Sequence, residues 1–516
     1  MLPRRIKMVH TFAAIDVGSF ELTMKIYEYG GRKQMKEIDC LVTGLSLGAD
    51  TYATGKISTE KVDELCHVLS HFASVMRSYK VESYKAYGTS AIRETENSEI
   101  LLDLIETRTG IHIDTLSNSE QRFLDYKSIA GAGDDFFTAI QDSAAILDIG
   151  GGSIQISLFD EDSLVSTQNL RLGVLRIRER VESLGADPYR MRLLEEELID
   201  AQLLTYKKLF LTGTVRNLIV MDDYISGCIK KRASDLGQDF LSRKDYLQLL
   251  DDLSSRGTFE TARMVGVPEE KVPLIRISGI LVKSLSSIIK SDKIFAPGVT
   301  LSDGIAYEFA EKEKLIKREH DFEKDITACA LNISRRYNGS RSRAETLRQI
   351  SGTIFDSMKK VSGLTRRDRL YLDIATILHD CGKYIAMTDI GERSYDIIMA
   401  TEIIGLSHHE REIVANIVRF NHSEFEYLGS DDEGIGSLGR DGYIKVAKLT
   451  AILRLANSLD RSHKHKLKEV KASLSGNELL LSVKTPQGFL LEEAFFPEAS
   501  DFFEEIYSIR PVIVRI

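Results

Sequence analysis

The feature that most limits what this chain can fold into is a motif that occurs twice: an apolar run ending in an aspartate and a glycine turn. Thr11-Phe12-Ala13-Ala14-Ile15 leads into Asp16-Val17-Gly18-Ser19, and Ala144-Ala145-Ile146-Leu147 leads into Asp148-Ile149-Gly150-Gly151-Gly152-Ser153. A further strand candidate follows each copy, at 22–27 and 154–159, so each reads as a β-hairpin turned by its glycine loop. Two copies predict two related lobes whose loops face each other across a cleft. Glycines at 18 and 150–152 let backbone N–H groups approach an anion closely, with Ser19 and Ser153 beside them. Asp16 and Asp148, at strand ends, can hold a divalent cation or its waters, and that cation offsets phosphate charge. A plain flexible turn would account for one triple glycine; the second copy favours phosphate binding.

At 516 residues the chain exceeds what one core fills, and about three domains of roughly 150 residues are expected. A hydrophobic content of 43% with 28% charged residues is ordinary globular composition. The net charge of -9 gives no general pull toward nucleic acid or an anionic membrane, so neither is expected as a partner and any polyanion must be held by local groups. Five cysteines, far apart and never as Cys-x-x-Cys, argue against a disulfide framework and a zinc knuckle, and fit a reducing cytoplasm. The start Met1-Leu2-Pro3-Arg4-Arg5 is basic like a signal peptide, but the apolar run after it breaks at Asp16. No segment is expected to reach membrane-spanning length.

Along 58–79, Val62, Leu65, Leu69, Phe72 and Met76 step by three and four with Ser58 at the N-cap position, which predicts an amphipathic helix. Helical periodicity dominates 311–465. From Val470 the pattern changes to a hairpin turned at Ser475-Gly476-Asn477, then a helix and a last strand. The resulting division is lobe I at 1–130, lobe II at 131–308, a helical domain at 309–466 and a small α+β domain at 467–516.

Several segments, in order, carry a family resemblance. They are Asp16 to Ser19, Gly88-Thr89-Ser90-Ala91-Ile92-Arg93, Leu116-Ser117-Asn118-Ser119-Glu120, Asp148 to Ser153, and Leu172-Gly173-Val174-Leu175-Arg176. With them the chain resembles the bacterial exopolyphosphatases and guanosine pentaphosphate phosphohydrolases (Ppx/GppA), relatives of actin, sugar kinases and heat-shock ATPases. The resemblance implies an α/β fold of two actin-like, ribonuclease H-like lobes, followed by an all-helical HD-like domain and the α+β tail. It implies Glu120 as the catalytic base, Arg93 as a phosphate ligand, Asp148 and Asp16 as holders of Mg2+ or another divalent cation, and a homodimer. In-line hydrolysis of a phosphoanhydride needs an oriented water, a metal and fixed donors, which suits those residue types. Two plainer readings stand beside these. Ser117 or Ser119 could cap a helix with Glu120 in its first turn, and Arg93 could pair with Glu94 or Glu96.

The chain also departs from the family's pattern. Phe20-Glu21 follows Ser19, Thr23 stands where arginine is common, Gln155 replaces a frequent glutamate, and Thr212-Gly213-Thr214 replaces a Gly-Gly-Thr loop. His379-Asp380 matches the HD dipeptide, but Arg343 and Asn457 occupy the positions of the other ligands. His379-Asp380 is therefore expected as a buried hydrogen-bonded pair, with His408, His409 and His422 as the remaining histidines that could complete a metal site. Arg335, Arg336, Arg341, Arg343 and Arg348 read either as grips for a polyanion or as solvated charges. The expected activity is release of orthophosphate from the ends of inorganic polyphosphate. The alternatives are hydrolysis of guanosine pentaphosphate, or binding of polyphosphate or guanosine penta- or tetraphosphate without turnover.

Overall fold

The computed structural model describes residues 10–515 except 31–34, 133–142, 161–162, 186, 212, 318–319, 428–436, 468 and 486–487. The chain divides into two compact units, residues 1–321 and 322–516.

In the first unit one strand arrangement occurs twice. The first sheet comprises β1 (His10–Val17), β2 (Glu21–Tyr29), β3 (Met35–Gly44), β4 (Ser83–Gly88) and β5 (Asp114–Thr115), in the order β3-β2-β1-β4-β5. The second comprises β6 (Ala144–Ile149), β7 (Ile154–Asp160), β8 (Ser163–Leu170), β9 (Asn217–Asp222), β10 (Phe240–Ser242) and β11 (Lys293–Phe295), in the order β10-β11-β9-β6-β7-β8. In each, the motif strand pairs antiparallel with its hairpin partner and parallel with a later strand: β1 with β2 and β4, β6 with β7 and β9. Around the first sheet run α1 (Leu47–Thr54), α2 (Thr59–Ser78), α3 (Ser90–Glu94), α4 (Ser98–Thr109) and α5 (Asn118–Ala130). The second lobe adds α6 (Val174–Ser183), α7 (Pro188–Phe210), α8 (Ser226–Asp235), α9 (Arg243–Ser254), α10 (Thr258–Val265) and α11 (Val272–Ile289), and α12 (Leu301–Lys312) follows β11.

β1 is apolar without alternation because both its faces are covered. Ala13, Ile15 and Val17 pack with Val62, Leu65, Leu69, Phe72 and Met76 of α2. Phe12 and Ala14 pack with Leu124 of α5 and Ile305 of α12. Helix α12 is thereby tied to the first sheet, and its Asp303 accepts bonds from Lys25 Nζ (2.9 Å) and the Tyr27 hydroxyl (2.8 Å). Gly304 permits the close crossing with α5: a Cβ there would lie 2.0 Å from the Leu124 carbonyl oxygen. Ser58 occupies the N-cap position of α2, but its hydroxyl donates to Asp50 (2.6 Å) instead of capping the helix.

One expectation is corrected. The helix Glu269–Ile289 is long and apolar enough, by length and composition, to cross a membrane, with a mean hydropathy of 1.6. It passes that test because it is a core helix, apolar nearly all round. Of that stretch 67% is buried, and Leu274, Ile277, Leu281 and Leu285 sit in the second lobe's core.

The second unit begins with α13 (Phe322–Arg336), α14 (Arg341–Ser362), α15 (Arg366–Leu378), α16 (Ile390–Ala400), α17 (His408–Phe420) and α18 (Gly439–Ser458). Helix α15 starts at a reciprocal cap between Thr365 and Asp368, and α17 at one between Ser407 and Glu410. The unit ends in β12 (Glu469–Ser475), β13 (Glu478–Lys484), α19 (Leu490–Tyr507) and β14 (Arg510–Arg515). β12 and β13 form an antiparallel hairpin whose turn uses Gly476 at φ 60°, and β14 runs parallel to β13.

Candidate active site

Both motif loops are tight turns closed on themselves. Gly18 N–H donates to the Glu21 carbonyl (3.1 Å), and Gly150 N–H donates to the Ser153 carbonyl (2.9 Å). The carbonyls of Gly150 and Gly151 are taken by the first amides of α6, from Val174, Leu175 and Arg176, and Arg176 Nε adds a bond to the Gly152 carbonyl (2.8 Å). A trans peptide turns its N–H opposite its C=O, so the Gly151 and Gly152 amides are directed away from α6. The two loops meet: a Cβ on Gly151 would lie 2.7 Å from Ser19 Cβ, and one on Gly173 would lie 2.2 Å from the Gly151 oxygen. Ser19 Oγ, Tyr52 OH and Ser90 Oγ form a closed triangle of hydroxyls at 2.8–2.9 Å.

Between the loops lies a cavity of about 60 Å³. Its wall carries the carboxylates of Asp16, Glu21, Asp125, Asp148, Asp222 and Asp223 and, among the described residues, no lysine or arginine. Two of these carboxylates have structural partners. Asp222 accepts from the amides of Tyr224 (3.1 Å), Ile225 (3.1 Å) and Ser226 (2.7 Å) and from the Ser278 hydroxyl, and Glu21 pairs with Lys271 (2.8 Å). The other four crowd one another. Burial, then Asp223, Glu21 and Asp148, holds the Asp16 carboxyl well above its usual range. Burial and the adjacent Asp148 do the same for Asp125. Burial lifts Asp148 to about 6, and burial together with Glu21 lifts Asp223 to about 7. Asp16 Oδ1 and Asp125 Oδ2 are buried with no hydrogen-bond donor on them among the described residues.

Such a wall repels a phosphate by itself and suits one that arrives with a divalent cation. The orphaned Asp16 Oδ1, with Asp148 at the matching strand end, is the kind of hard oxygen donor that Mg2+ takes. Among the described residues no three His, Cys, Asp or Glu side chains gather as a ready-made metal site.

Of the residues singled out from the sequence, Asp16, Gly18, Ser19, Asp148, Gly150, Gly151 and Ser153 line this cavity. Gly152 lies beside it, where a Cβ would come within 2.3 Å of the Tyr52 hydroxyl. The structure does not bring Glu120 or Arg93 to the wall. Glu120 is the third residue of α5, and its carboxylate accepts from Ser117 N–H (3.1 Å) and Oγ (2.7 Å) in a capping box. Arg93 Nη1 donates to the Leu116 carbonyl (2.6 Å), bracing the same bend. Position 121 faces the cavity instead, with Gln121 Nε2 3.5 Å from Asp148 Oδ2, and one turn further Asp125 joins it.

Sequence reasoning missed Gln121, Asp125, Asp222 and Asp223. The i, i+4 spacing of 121 and 125 and the apolar run Leu218-Ile219-Val220-Met221 ending in Asp222 were the available signals. The departures from the family pattern have local partners. Glu21 is offset by Lys271, Phe20 packs near Tyr224 with ring centroids 6.4 Å apart, and Gln155 Oε1 accepts from buried Arg122 Nε (2.7 Å). Thr212 lies outside the described residues.

In the second unit His379 is buried and committed. Its Nδ1–H bonds the Thr376 carbonyl (2.9 Å), and its Nε2 accepts from Arg343 Nε (2.9 Å). Arg343 also donates to Asn457 Oδ1 (2.6 Å) and, through Nη1, to the Asp460 carbonyl (3.5 Å). Desolvation, partly opposed by Asp380, lowers the imidazole to about 3. The guanidinium takes the lone pair a metal would use. His422 bonds the His379 carbonyl, whereas His408 and His409 are exposed at the start of α17. Arg335, Arg341 and Arg348 have local partners in Asn332, Glu345 and Asp373.

Residues 26–313 match the Ppx/GppA phosphatase family, and residues 327–498 match domain III of Ppx/GppA phosphatases. The chain is 25% identical over 324 residues to exopolyphosphatase 1 of Mycobacterium tuberculosis, covering 61% of this chain and 89% of that one. It is 21% identical over 505 residues to a guanosine-5'-triphosphate,3'-diphosphate pyrophosphatase of Vibrio atlanticus, covering 92% and 91%. A crystal structure of an exopolyphosphatase from Cytophaga hutchinsonii superposes with a TM-score of 0.52 at 19% identity, over 60% of this chain and all of that one. That likeness concerns the two-lobed, actin-like fold. On the match across 26–313, the chain belongs to the Ppx/GppA phosphatase family.

Proposed function

We propose that the protein is an exopolyphosphatase, hydrolysing the terminal phosphoanhydride bond of inorganic polyphosphate with a divalent cation. The observation that carries this reading is the junction of two Asp-Gly loops around one carboxylate-lined cavity, on a chain of a phosphatase family. The Gly151 and Gly152 amides and the hydroxyls of Ser19, Ser90 and Ser153 would hold phosphoryl oxygens, as fixed donors that need no reorganisation during reaction. Asp16 and Asp148 would hold Mg2+. When bound, the cation neutralises phosphoryl charge and polarises the bond under attack.

A second reading, guanosine pentaphosphate as substrate, is favoured by one feature. A neighbouring cavity of about 450 Å³ shares Glu21, Asp222, Asp223 and Tyr224 with the first and has an apolar wall that includes Leu249, Met264 and Val265. Its size and wall suit a nucleoside. Orthophosphate release from long-chain polyphosphate and from guanosine pentaphosphate, each with magnesium, separates the two. Faster release from polyphosphate supports the first reading, and release from the nucleotide alone overturns it. For the helical region of the second unit we infer an HD-like fold without metal chemistry, supported by Arg343 on His379 Nε2. The cysteines stand as thiols, not disulfides, among the described residues, which supports a cytoplasmic location.

A further inference from the structure

An attacking water must be oriented and must shed a proton, and among the carboxylates of the cavity wall the structure narrows the choice of acceptor. Glu120 is held by its own helix cap, Asp222 by three amides and a hydroxyl, and Glu21 by Lys271. Gln121 faces the cavity but carries an amide, which can orient water and cannot accept its proton. Asp16 and Asp148 end the paired motif strands beside the phosphate loops, and Asp223 follows β9. Asp125 alone of the wall's carboxylates comes from α5, one turn beyond Gln121 on the same face; it lines the cavity, is only 3% exposed, and its Oδ2, like Oδ1 of Asp16, is buried with no donor on it among the described residues.

The helix is fixed where this role requires. Arg122 anchors it to the second lobe through Gln155 and Thr167, and Leu124 anchors it to α12 at Gly304. Gln121 and Asp125 therefore enter the cavity from a braced helix, and the glycine loops enter from their own strands.

We propose that Asp125 is the catalytic base, with Gln121 orienting the attacking water; the assignment rests on the hydrolase reading above. The water oxygen bonds to the terminal phosphorus as the bridging P–O bond breaks. One water proton passes to Asp125 Oδ2, and the bridging oxygen leaves with the electron pair on the shortened chain. Asp125 then returns its proton to solvent, and orthophosphate departs.

The test compares wild type, Asp125→Asn, Asp125→Ala and Glu120→Gln in the full chain. Phosphate release from polyphosphate is followed over a magnesium titration, with thermal melts run in parallel. The proposal expects Asp125→Asn to lower kcat by roughly 10² to 10⁴-fold, with KM and half-saturating magnesium within about threefold of wild type. Formate should restore part of the turnover of Asp125→Ala, and Glu120→Gln should keep turnover while melting lower. Near-normal turnover by Asp125→Asn, its recovery at high magnesium, or a loss confined to Glu120→Gln overturns the proposal. If Asp125→Asn melts far below wild type, formate rescue of Asp125→Ala decides, and its failure counts against the base. No release by wild type overturns the hydrolase reading itself, a result separable from all the others.

Discussion

Residues 120, 121 and 125 lie within two turns of α5 yet meet different surroundings. A step of one residue turns a helical side chain by about 100°, so the carboxylate of Glu120 closes a cap while Gln121 faces the cavity. The motif segment around Glu120 is legible from sequence, as is its Ser117-x-x-Glu120 capping box; which of 120, 121 and 125 faces inward is not, because α5 is oriented by Arg122 and by its contact with α12. The loop glycines were legible for the opposite reason: their duty is local. Gly173 sharpens this. A methyl there would press on the backbone of Gly151, 2.2 Å away, and backbone cannot swing aside. Gly173→Ala is expected to cost about 1–3 kcal/mol and to abolish turnover by moving the loop, as read by urea melts and phosphate release. A fully active, equally stable variant would contradict that packing.

Elements with strong periodicity are legible in the sequence. The α2 stripe packs as its three-and-four spacing implies, and Leu69→Ala should cost about 2–5 kcal/mol in urea melts, against about 0.5–2 kcal/mol for loss of the α5 cap in Ser117→Ala. Reversal of that order would mean that α2 is less well packed than its burial implies. The expectation that no segment reaches membrane-spanning length overlooked the apolar stretch of α11, because a core helix and a membrane helix share composition and differ only in what surrounds them. In the second unit, Arg343, His379 and Asn457 were legible as a departure from a metal set, and their mutual bonding adds a pH dependence. His379 is lowered to about 3 from 6.5 by desolvation. Below about 6.5 the unfolded chain binds a proton that the folded unit refuses, so this stability is full above that pH and is lost as pH falls toward about 3. Hydrogen exchange of α15 amides should show weaker protection at pH 5 than at pH 7.5. Equal protection at both would count against the Arg343 arrangement.

At the scale of the molecule, the net charge of -9 gives no hint that six carboxylates meet in one cavity. Their positions come from β1, β2, α5, β6 and the end of β9, brought together by the duplicated sheets. Without a cation this cluster opposes folding as it ionises. Asp148 and Asp223, lifted to about 6 and about 7, bind more protons folded than unfolded, so their contribution is full below about pH 4 and is lost as pH rises through 6 to 7. A bound cation, as proposed, would replace the missing protons. Magnesium is therefore expected to raise the melting temperature of the first unit by several degrees at pH 8 and little at pH 5. Equal shifts at the two values would place the cation elsewhere.

The measurement that bears most directly on the account is orthophosphate release from long-chain polyphosphate by wild type and Asp148→Asn, with and without magnesium. The account predicts steady, magnesium-dependent release by wild type and a loss of at least roughly 10²-fold in Asp148→Asn, as expected when a metal-assisted hydrolase loses a metal-holding carboxylate. Undiminished release by a folded Asp148→Asn, or none by wild type in any magnesium concentration, would contradict it.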